Sequence, residues 1–382
     1  MATKTCLPRW GETPGEPILA QNPNVSGSRG SSPHQRKTEN TGLNEIFLRV
    51  RDYDLAATLD SGQAFRWQRH NDSWVGVVDR HWVRLTQMRN GIRAETAGPV
   101  ADWRWLRDYL QTEADLDAVL KTFPDDAPMR DAVAACRGLR VLRQHPWECL
   151  ASFILSSTKQ IVQIRQIVAL LCERFGDPLT HPADTLSMNL VAADVSLRTL
   201  SPMKVSVDSR RRLRFKGSTR EILFWENLSP PNGERGASVP NENHLFYSFP
   251  SAKWLASVTE GELRACKMGF RAPYLLAAAR RIADGKFDLE RLRHLTLAEA
   301  REELMKLRGV GGKIADCVLL FAYGFDGAFP VDVWVERALR ELYFPRRRVS
   351  DKRLQHFAAT HFGPHAGYAQ QYLFHYMRTK MK

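Results

Sequence analysis

No run of about 18 apolar residues occurs anywhere in the chain, so no membrane-spanning helix is expected. The opening residues, MATKTCLPRWGETPGEP, also lack the apolar stretch of a secretory leader, and an intracellular protein with no membrane partner is expected. Cysteine is sparse: Cys6, Cys136, Cys149, Cys172, Cys266 and Cys317 are scattered without a paired CxxC spacing. That pattern argues against a structural zinc site, a disulfide framework and an iron–sulfur cluster, so neither metal nor cofactor is expected. Acidic residues are the scarcer charge. Asp and Glu number 42 against 55 Lys and Arg, leaving a formal charge of +13, which suits a polyanionic partner whose counterions are released on binding. Charge alone leaves a merely solvated basic surface equally open.

Large apolar side chains are few in residues 1–42, where Pro, Gly, Ser, Asn and Thr dominate. Such a segment cannot offset the entropy of ordering, and a disordered tail is expected. Residues 43–127 read as an antiparallel β domain with a flanking helix. Short alternating runs at Ser73–Val78, Trp82–Leu85 and Ile92–Glu95 predict the strands, and Asn90-Gly91 suits a type I′ hairpin turn. Trp105, Leu106, Tyr109 and Leu110 recur at helical spacing and predict one helix over Trp103–Leu120. Residues 128–382 read as helical. Trp147–Ser157 and Ile161–Phe175 are the clearest cases, the second carrying Ile161, Ile164, Ile167, Val168 and Leu171 on one stripe. The periodicity breaks at a basic stretch (Arg210, Arg211, Arg212, Arg214, Lys216, Arg220) followed by SPPNGERGASVPNEN, so 203–243 is expected to be a flexible insertion.

Chemistry enters at Leu297–Leu307, a helical run stopped by Arg308-Gly309-Val310-Gly311-Gly312, after which Lys313 to Leu320 resumes helical spacing. This is a helix-hairpin-helix. Its glycines admit backbone angles that other residues resist, and the amides opening the second helix suit one DNA phosphate, gripped without reading sequence. Gly309 and Gly311 are the candidate contacts. Lys313 lies in the second helix's first turn, where the helix dipole disfavours an ammonium and favours the neutral amine that a nucleophile needs. It serves equally well, at this point, as one more phosphate contact. Asp332, in Phe329-Pro330-Val331-Asp332, follows 19 residues later and precedes another helical run. An N-cap is its plainest role, and a capped carboxylate is also pre-organised to face positive charge on a sugar. The fold class is α+β: an N-terminal antiparallel β-sheet domain followed by an all-α helix-hairpin-helix domain.

LRGVGGK, with the aspartate of PVD 19 residues on, resembles the helix-hairpin-helix DNA glycosylase superfamily, and within it the 8-oxoguanine DNA glycosylase family. The resemblance implies an enzyme that excises 8-oxoguanine from duplex DNA, with Lys313 as nucleophile and Asp332 as its carboxylate partner. SGQAFRW, Ser61 to Trp67, resembles the family's SGQxFRW segment and implies that the Gly62 carbonyl accepts from the damaged base. Oxidation at C8 turns N7 into an N–H donor, so an acceptor there is chemically apt. Gly269-Phe270-Arg271-Ala272 resembles a segment in which an aromatic wedge enters the base stack and an arginine meets the orphaned cytosine. GPHAGYAQQYLF, Gly363 to Phe374, resembles an element that sets Gln370 on the edge of the flipped base and Phe374 against its face. Cys317 would line the opposite side.

Four positions depart from the family, the first being Phe270, which replaces a tyrosine, keeping the aromatic wedge and losing only a hydroxyl. Thr158 stands where many relatives carry an asparagine that touches the cytosine. Trp334 replaces the phosphate-binding histidine of the animal enzymes and Met377 that histidine's carboxylate partner, so a rebuilt phosphate contact is expected. The rivals are a monofunctional alkylbase glycosylase, which needs no lysine nucleophile, and an endonuclease III-like enzyme, whose relatives usually carry four cysteines after the aspartate. A non-catalytic DNA-binding module is the rival from another class. The expected partner is duplex DNA containing an oxidised purine, bound by a monomer.

Overall fold

The computed structural model describes residues 43–157, 160–182 and 246–380. The expected tail at 1–42, the insertion at 203–243 and Thr158 lie outside the described residues. A five-stranded antiparallel sheet comes first: β1 (Leu43–Arg49), β2 (Gln68–His70), β3 (Ser73–Val78), β4 (His81–Met88) and β5 (Gly91–Ala97), in the order β1-β5-β4-β3-β2. The β4–β5 hairpin pairs Met88 with Gly91, so its two turn residues are Arg89 and Asn90. Neither has a positive φ, and the expected type I′ turn at Asn90-Gly91 is corrected on both residues and type. A Cβ at Gly91 would lie 2.1 Å from the Leu48 carbonyl oxygen of the neighbouring strand. The glycine is there for close strand approach rather than for the turn.

Helix α1 (Leu55–Asp60), capped by Asp54, separates β1 from β2. The single helix expected over Trp103–Leu120 is two: α2 (Arg104–Leu110) and α3 (Leu116–Leu120). Gln111 adopts φ +55°, the left-handed cap that ends α2, and the Asp115 carboxylate caps the Ala118 amide to restart the chain. The remaining helices are α4 (Ala127–Cys136), α5 (Pro146–Leu155), α6 (Ile161–Phe175), α7 (Ala252–Ser257), α8 (Glu260–Ala265), α9 (Ala272–Ala283), α10 (Leu297–Met305), α11 (Gly312–Val318), α12 (Val333–Ala338), α13 (Asp351–His361) and α14 (Ala366–Lys380). The hairpin joins α10 to α11, and α11 packs on α5 while α14 packs on α4 and α12. Of the α6 stripe, Ile164, Ile167, Val168 and Leu171 are buried, whereas Ile161 is only partly buried and meets a cavity.

Two apolar cores form, one under the sheet and one among the helices, and they interlock across the boundary expected near residue 127. Ala57, Phe65, Leu116 and Val119 belong to the helical core, and Leu142 to the sheet core. The connection is also polar. Gln63, with no exposed surface, donates from Nε2 to the Arg140 carbonyl (2.8 Å) and the Thr58 carbonyl (2.9 Å), and its Oε1 accepts from the Leu142 amide at 2.8 Å. Arg140 in turn donates to the carbonyls of Asp52, Gly138 and Arg51. Trp67 Nε1 meets the Tyr109 hydroxyl at 2.8 Å, and Arg66 pairs with Glu148 at 3.4 Å. Each unmatched buried polar group costs about 1–3 kcal/mol. Gln63→Leu, which strands several at once, is expected to lower stability by roughly 3 kcal/mol or more on that scale, read as a shift of the urea midpoint. An unchanged midpoint would remove the amide from this role.

Candidate active site

Three helices and one turn converge on a cavity of about 800 Å³. Helix α11 brings Lys313 and Cys317, the start of α12 brings Asp332, α14 brings Gln370 and Phe374, and the turn after α1 brings Gly62. Six residues separated by up to 312 positions thus line one space. Lys313 is the second residue of α11, whose N-cap, Gly311, offers no side-chain acceptor to the first-turn amides. Its Nζ lies 3.5 Å from Ser156 Oγ and 5.6 Å from the centre of the Phe153 ring. The Ser156 hydroxyl donates to the Phe153 carbonyl at 2.7 Å, so it turns lone pairs toward the lysine.

Asp332 caps α12: Oδ1 accepts from the amides of Trp334 (3.0 Å) and Val335 (2.9 Å). Burial raises its pKa above the ordinary carboxylate value, outweighing the Val335 amide, the nearby Lys313 and the Trp334 amide, which all lower it. Cys317 follows Lys313 by one turn. Burial pushes its thiol up to about 12, and it is 3% exposed, so at neutral pH it acts as a small apolar wall.

Gly62 has φ +80°, and a Cβ there would lie 2.6 Å from Ile161 Cδ1 and 3.4 Å from Phe374 Cε1. Both the backbone angle and the space call for glycine. Gln370 is buried, and its Oε1 has no hydrogen-bond partner among the described residues. A buried acceptor left open in a cavity wall is suited to a donor carried by a ligand.

Phe270, Arg271, Gly309 and Gly311 lie outside the cavity wall. Phe270 is 52% exposed and meets Tyr274 edge-on, ring centres 6.3 Å apart. Gly309, φ +86°, approaches the same ring so closely that a Cβ would sit 2.6 Å from Tyr274 Cγ. Tyr274 therefore ties Phe270 to the hairpin, while a Cβ on Gly311 would meet nothing within 4 Å. Arg271 is tucked in: its guanidinium carbon lies 4.3 Å from the Phe270 ring centre and Nη1 donates to the Met268 carbonyl. A base contact requires it to swing out from beneath Phe270. Trp334 lines the cavity, and Met377 is buried.

Several wall residues were not picked out from the sequence: Phe153 and Ser156 at the end of α5, and Arg378. Arg378 was within reach, because Gln370, Phe374 and Arg378 recur at i, i+4 and i+8 and so share one helix face. Ser156 carried no such signal. The free thiols Cys136, Cys149, Cys172, Cys266 and Cys317 are all buried and unpaired, and Cys6 lies outside the described residues.

Comparison with known proteins gives the same answer from two ends of the chain. The family model for the 8-oxoguanine DNA glycosylase N-terminal domain matches residues 45–150, and that for HhH-GPD superfamily base excision DNA repair proteins matches residues 235–362. A probable N-glycosylase/DNA lyase from Methanothermobacter thermautotrophicus is 27% identical over 357 residues, 86% of this chain and 95% of that protein. The N-glycosylase/DNA lyase of Saccharomyces cerevisiae is 27% identical over 76% of this chain and 68% of its own length. The Clostridium acetobutylicum 8-oxoguanine glycosylase/lyase, solved with double-stranded DNA containing cytosine opposite 8-oxoG, superposes with a TM-score of 0.67 at 26% identity, covering 88% of this chain and 99% of that one. The fold and the lysine–aspartate cavity define a helix-hairpin-helix base excision DNA repair protein. Within that superfamily the chain belongs to the 8-oxoguanine DNA glycosylase family.

Asp332 carries a testable consequence. Its folded pKa is raised, so the charged carboxylate costs stability that appears as pH rises from the unfolded value, near 3.8, through the folded one. Asparagine caps a helix as well as aspartate does and carries no charge. Asp332→Asn is therefore expected to melt with wild type at pH below about 3.8 and at or above it near pH 7, while excision is lost. A variant that melts earlier than wild type at pH 7 contradicts the sign of this effect.

Proposed function

We infer that this protein is a bifunctional DNA glycosylase and AP lyase of base excision repair, which removes 8-oxoguanine from duplex DNA. The observation that carries the reading is the confinement of an amine, a carboxylate, an open amide oxygen and an aromatic face to one cavity. The base is extruded from the duplex into that space, its face on Phe374 and its edge toward Gln370, with Cys317 behind it. Guanine's Watson–Crick edge offers N–H donors to the free Gln370 Oε1, and the Gly62 carbonyl accepts the N7–H that only the oxidised base possesses.

The neutral Lys313 amine attacks C1′, the C1′–N9 bond breaks, and the base leaves with the bonding electrons and takes up a proton. Ring opening gives an imine between Nζ and C1′. Loss of a C2′ proton then expels the 3′ phosphate by β-elimination. Asp332 faces the positive charge that develops on the sugar as the base departs, and its capped, desolvated carboxylate needs little reorganisation to do so. Phe270 fills the gap in the stack, Arg271 meets the orphaned base once it swings out, and the hairpin amides at Gly309 and Gly311 hold a phosphate. The last role we propose for a residue outside those described is a cytosine-side contact by Thr158. All the cavity groups named here come from one chain, which fits an enzyme acting as a monomer.

Borohydride reduction of the imine tests the reading. A duplex bearing a single 8-oxoguanine should become covalently linked to the wild type but not to Lys313→Gln, which should still retard the duplex on a gel. Wild type that forms no adduct would fit a monofunctional glycosylase or a mere DNA-binding module instead. Gln370→Ala is expected to lower the preference for 8-oxoguanine over 8-oxoadenine, which shares the N7–H but differs at the Watson–Crick edge, by roughly tenfold, measured as the ratio of single-turnover excision rates; an unaltered ratio removes Gln370 from base choice.

A further inference from the structure

Arg378 stands in the wall of the cavity, on the same face of α14 as Gln370 and Phe374 and one turn beyond the latter. Its guanidinium carbon is 5.3 Å from the Phe374 ring centre, and Nη1 donates to the Asp60 carbonyl at 3.3 Å. No carboxylate is in ion-pair contact with it among the described residues, because the nearby Asp60 carboxylate is taken by Arg165 at 2.9 Å. Burial lowers the guanidinium's pKa, as expected of a cation drawn out of water without a full partner. The wall thus holds a guanidinium that has no ion-pair partner among the described residues, and a guanidinium so placed is open to an anion.

A guanidinium has five N–H donors in a planar fork that matches two phosphate oxygens. One is used on Asp60. Along α14, successive turns advance about 5.4 Å. With the base edge at Gln370 and the base face on Phe374, the next turn reaches past the base to the sugar–phosphate strand. We propose that Arg378 binds one of the two phosphates flanking the extruded nucleotide and thereby holds C1′ beside Lys313. The assignment rests on the glycosylase reading above and adds to it a group that recognises backbone rather than base.

Binding to an uncleavable duplex with a tetrahydrofuran abasic analogue separates this proposal from the chemistry, because neither Lys313 attack nor base contacts contribute. Arg378→Gln is expected to weaken binding roughly tenfold to a hundredfold and to reduce the slope of log affinity against log salt by about 0.9. Arg378→Lys should restore most of the slope. Replacing each flanking phosphate singly by a methylphosphonate should weaken the wild type at one of the two positions, and there Arg378→Gln should lose nothing more. An unchanged salt slope, or an equal Arg378→Gln penalty on both methylphosphonate duplexes and the parent, overturns the proposal. Arg378→Met, which keeps an apolar stem against Phe374, replaces the glutamine variant if melting shows that variant to be unfolded. Failure of borohydride trapping with the salt effect intact would sink the lyase reading and leave the phosphate contact standing.

Discussion

Gln63 lies fully buried between the turn that carries Gly62 and the extended segment from Gly138 to Gln144, and its side-chain amide bonds backbone groups on both sides. Its own carbonyl accepts from Gln144 Nε2 at 2.7 Å, and Gln371 of α14 reaches the Ser61 carbonyl at 3.1 Å. The turn is therefore held by α1, by the segment leading into α5 and by α14 together. Since α5 ends at Ser156 beside Lys313, and α14 bears Gln370 and Phe374, the same polar lattice sets the distance between the carbonyl that would meet the base and the amine that would meet the sugar. A low-dielectric interior strengthens each of these bonds and raises the cost of breaking one.

The cavity it creates is electrostatically uneven. Asp332 is desolvated yet fixed by two amides, and Cys317 is buried past the point of ionising near neutrality. Arg378 stands in the wall with Lys313, and Asp332 is the one carboxylate there among the described residues. Polar and apolar groups meet in the wall: Lys313 lies over the Phe153 ring and Arg378 over Phe374, while Gln370 carries the unmatched oxygen.

Periodicity located β3, β4 and β5 and helices such as α5 and α6 because half-buried elements must repeat at their own pitch, whereas β1 and the three-residue β2 carried no run that it singled out. It failed where a local conformation interrupted a smooth pattern. Gln111 in the left-handed region splits Trp103–Leu120 although the apolar spacing runs on, and Gly91 serves strand packing although Asn90-Gly91 resembles a turn. The resemblance implies that Arg271 meets the orphaned cytosine, and its guanidinium lies against the Phe270 ring, a side-chain choice that backbone pattern does not encode.

The sequence by itself determined the element types, the hairpin with its lysine, the aspartate at a helix start and the basic charge, since each depends on neighbours within a few residues. Only the tertiary structure decided that Gly62, Lys313, Asp332 and Gln370 share one cavity, that Ser156 touches the lysine and that Arg378 completes the wall. Those facts depend on contacts between segments far apart in the chain, and they are settled by packing and buried hydrogen bonds rather than by spacing along it.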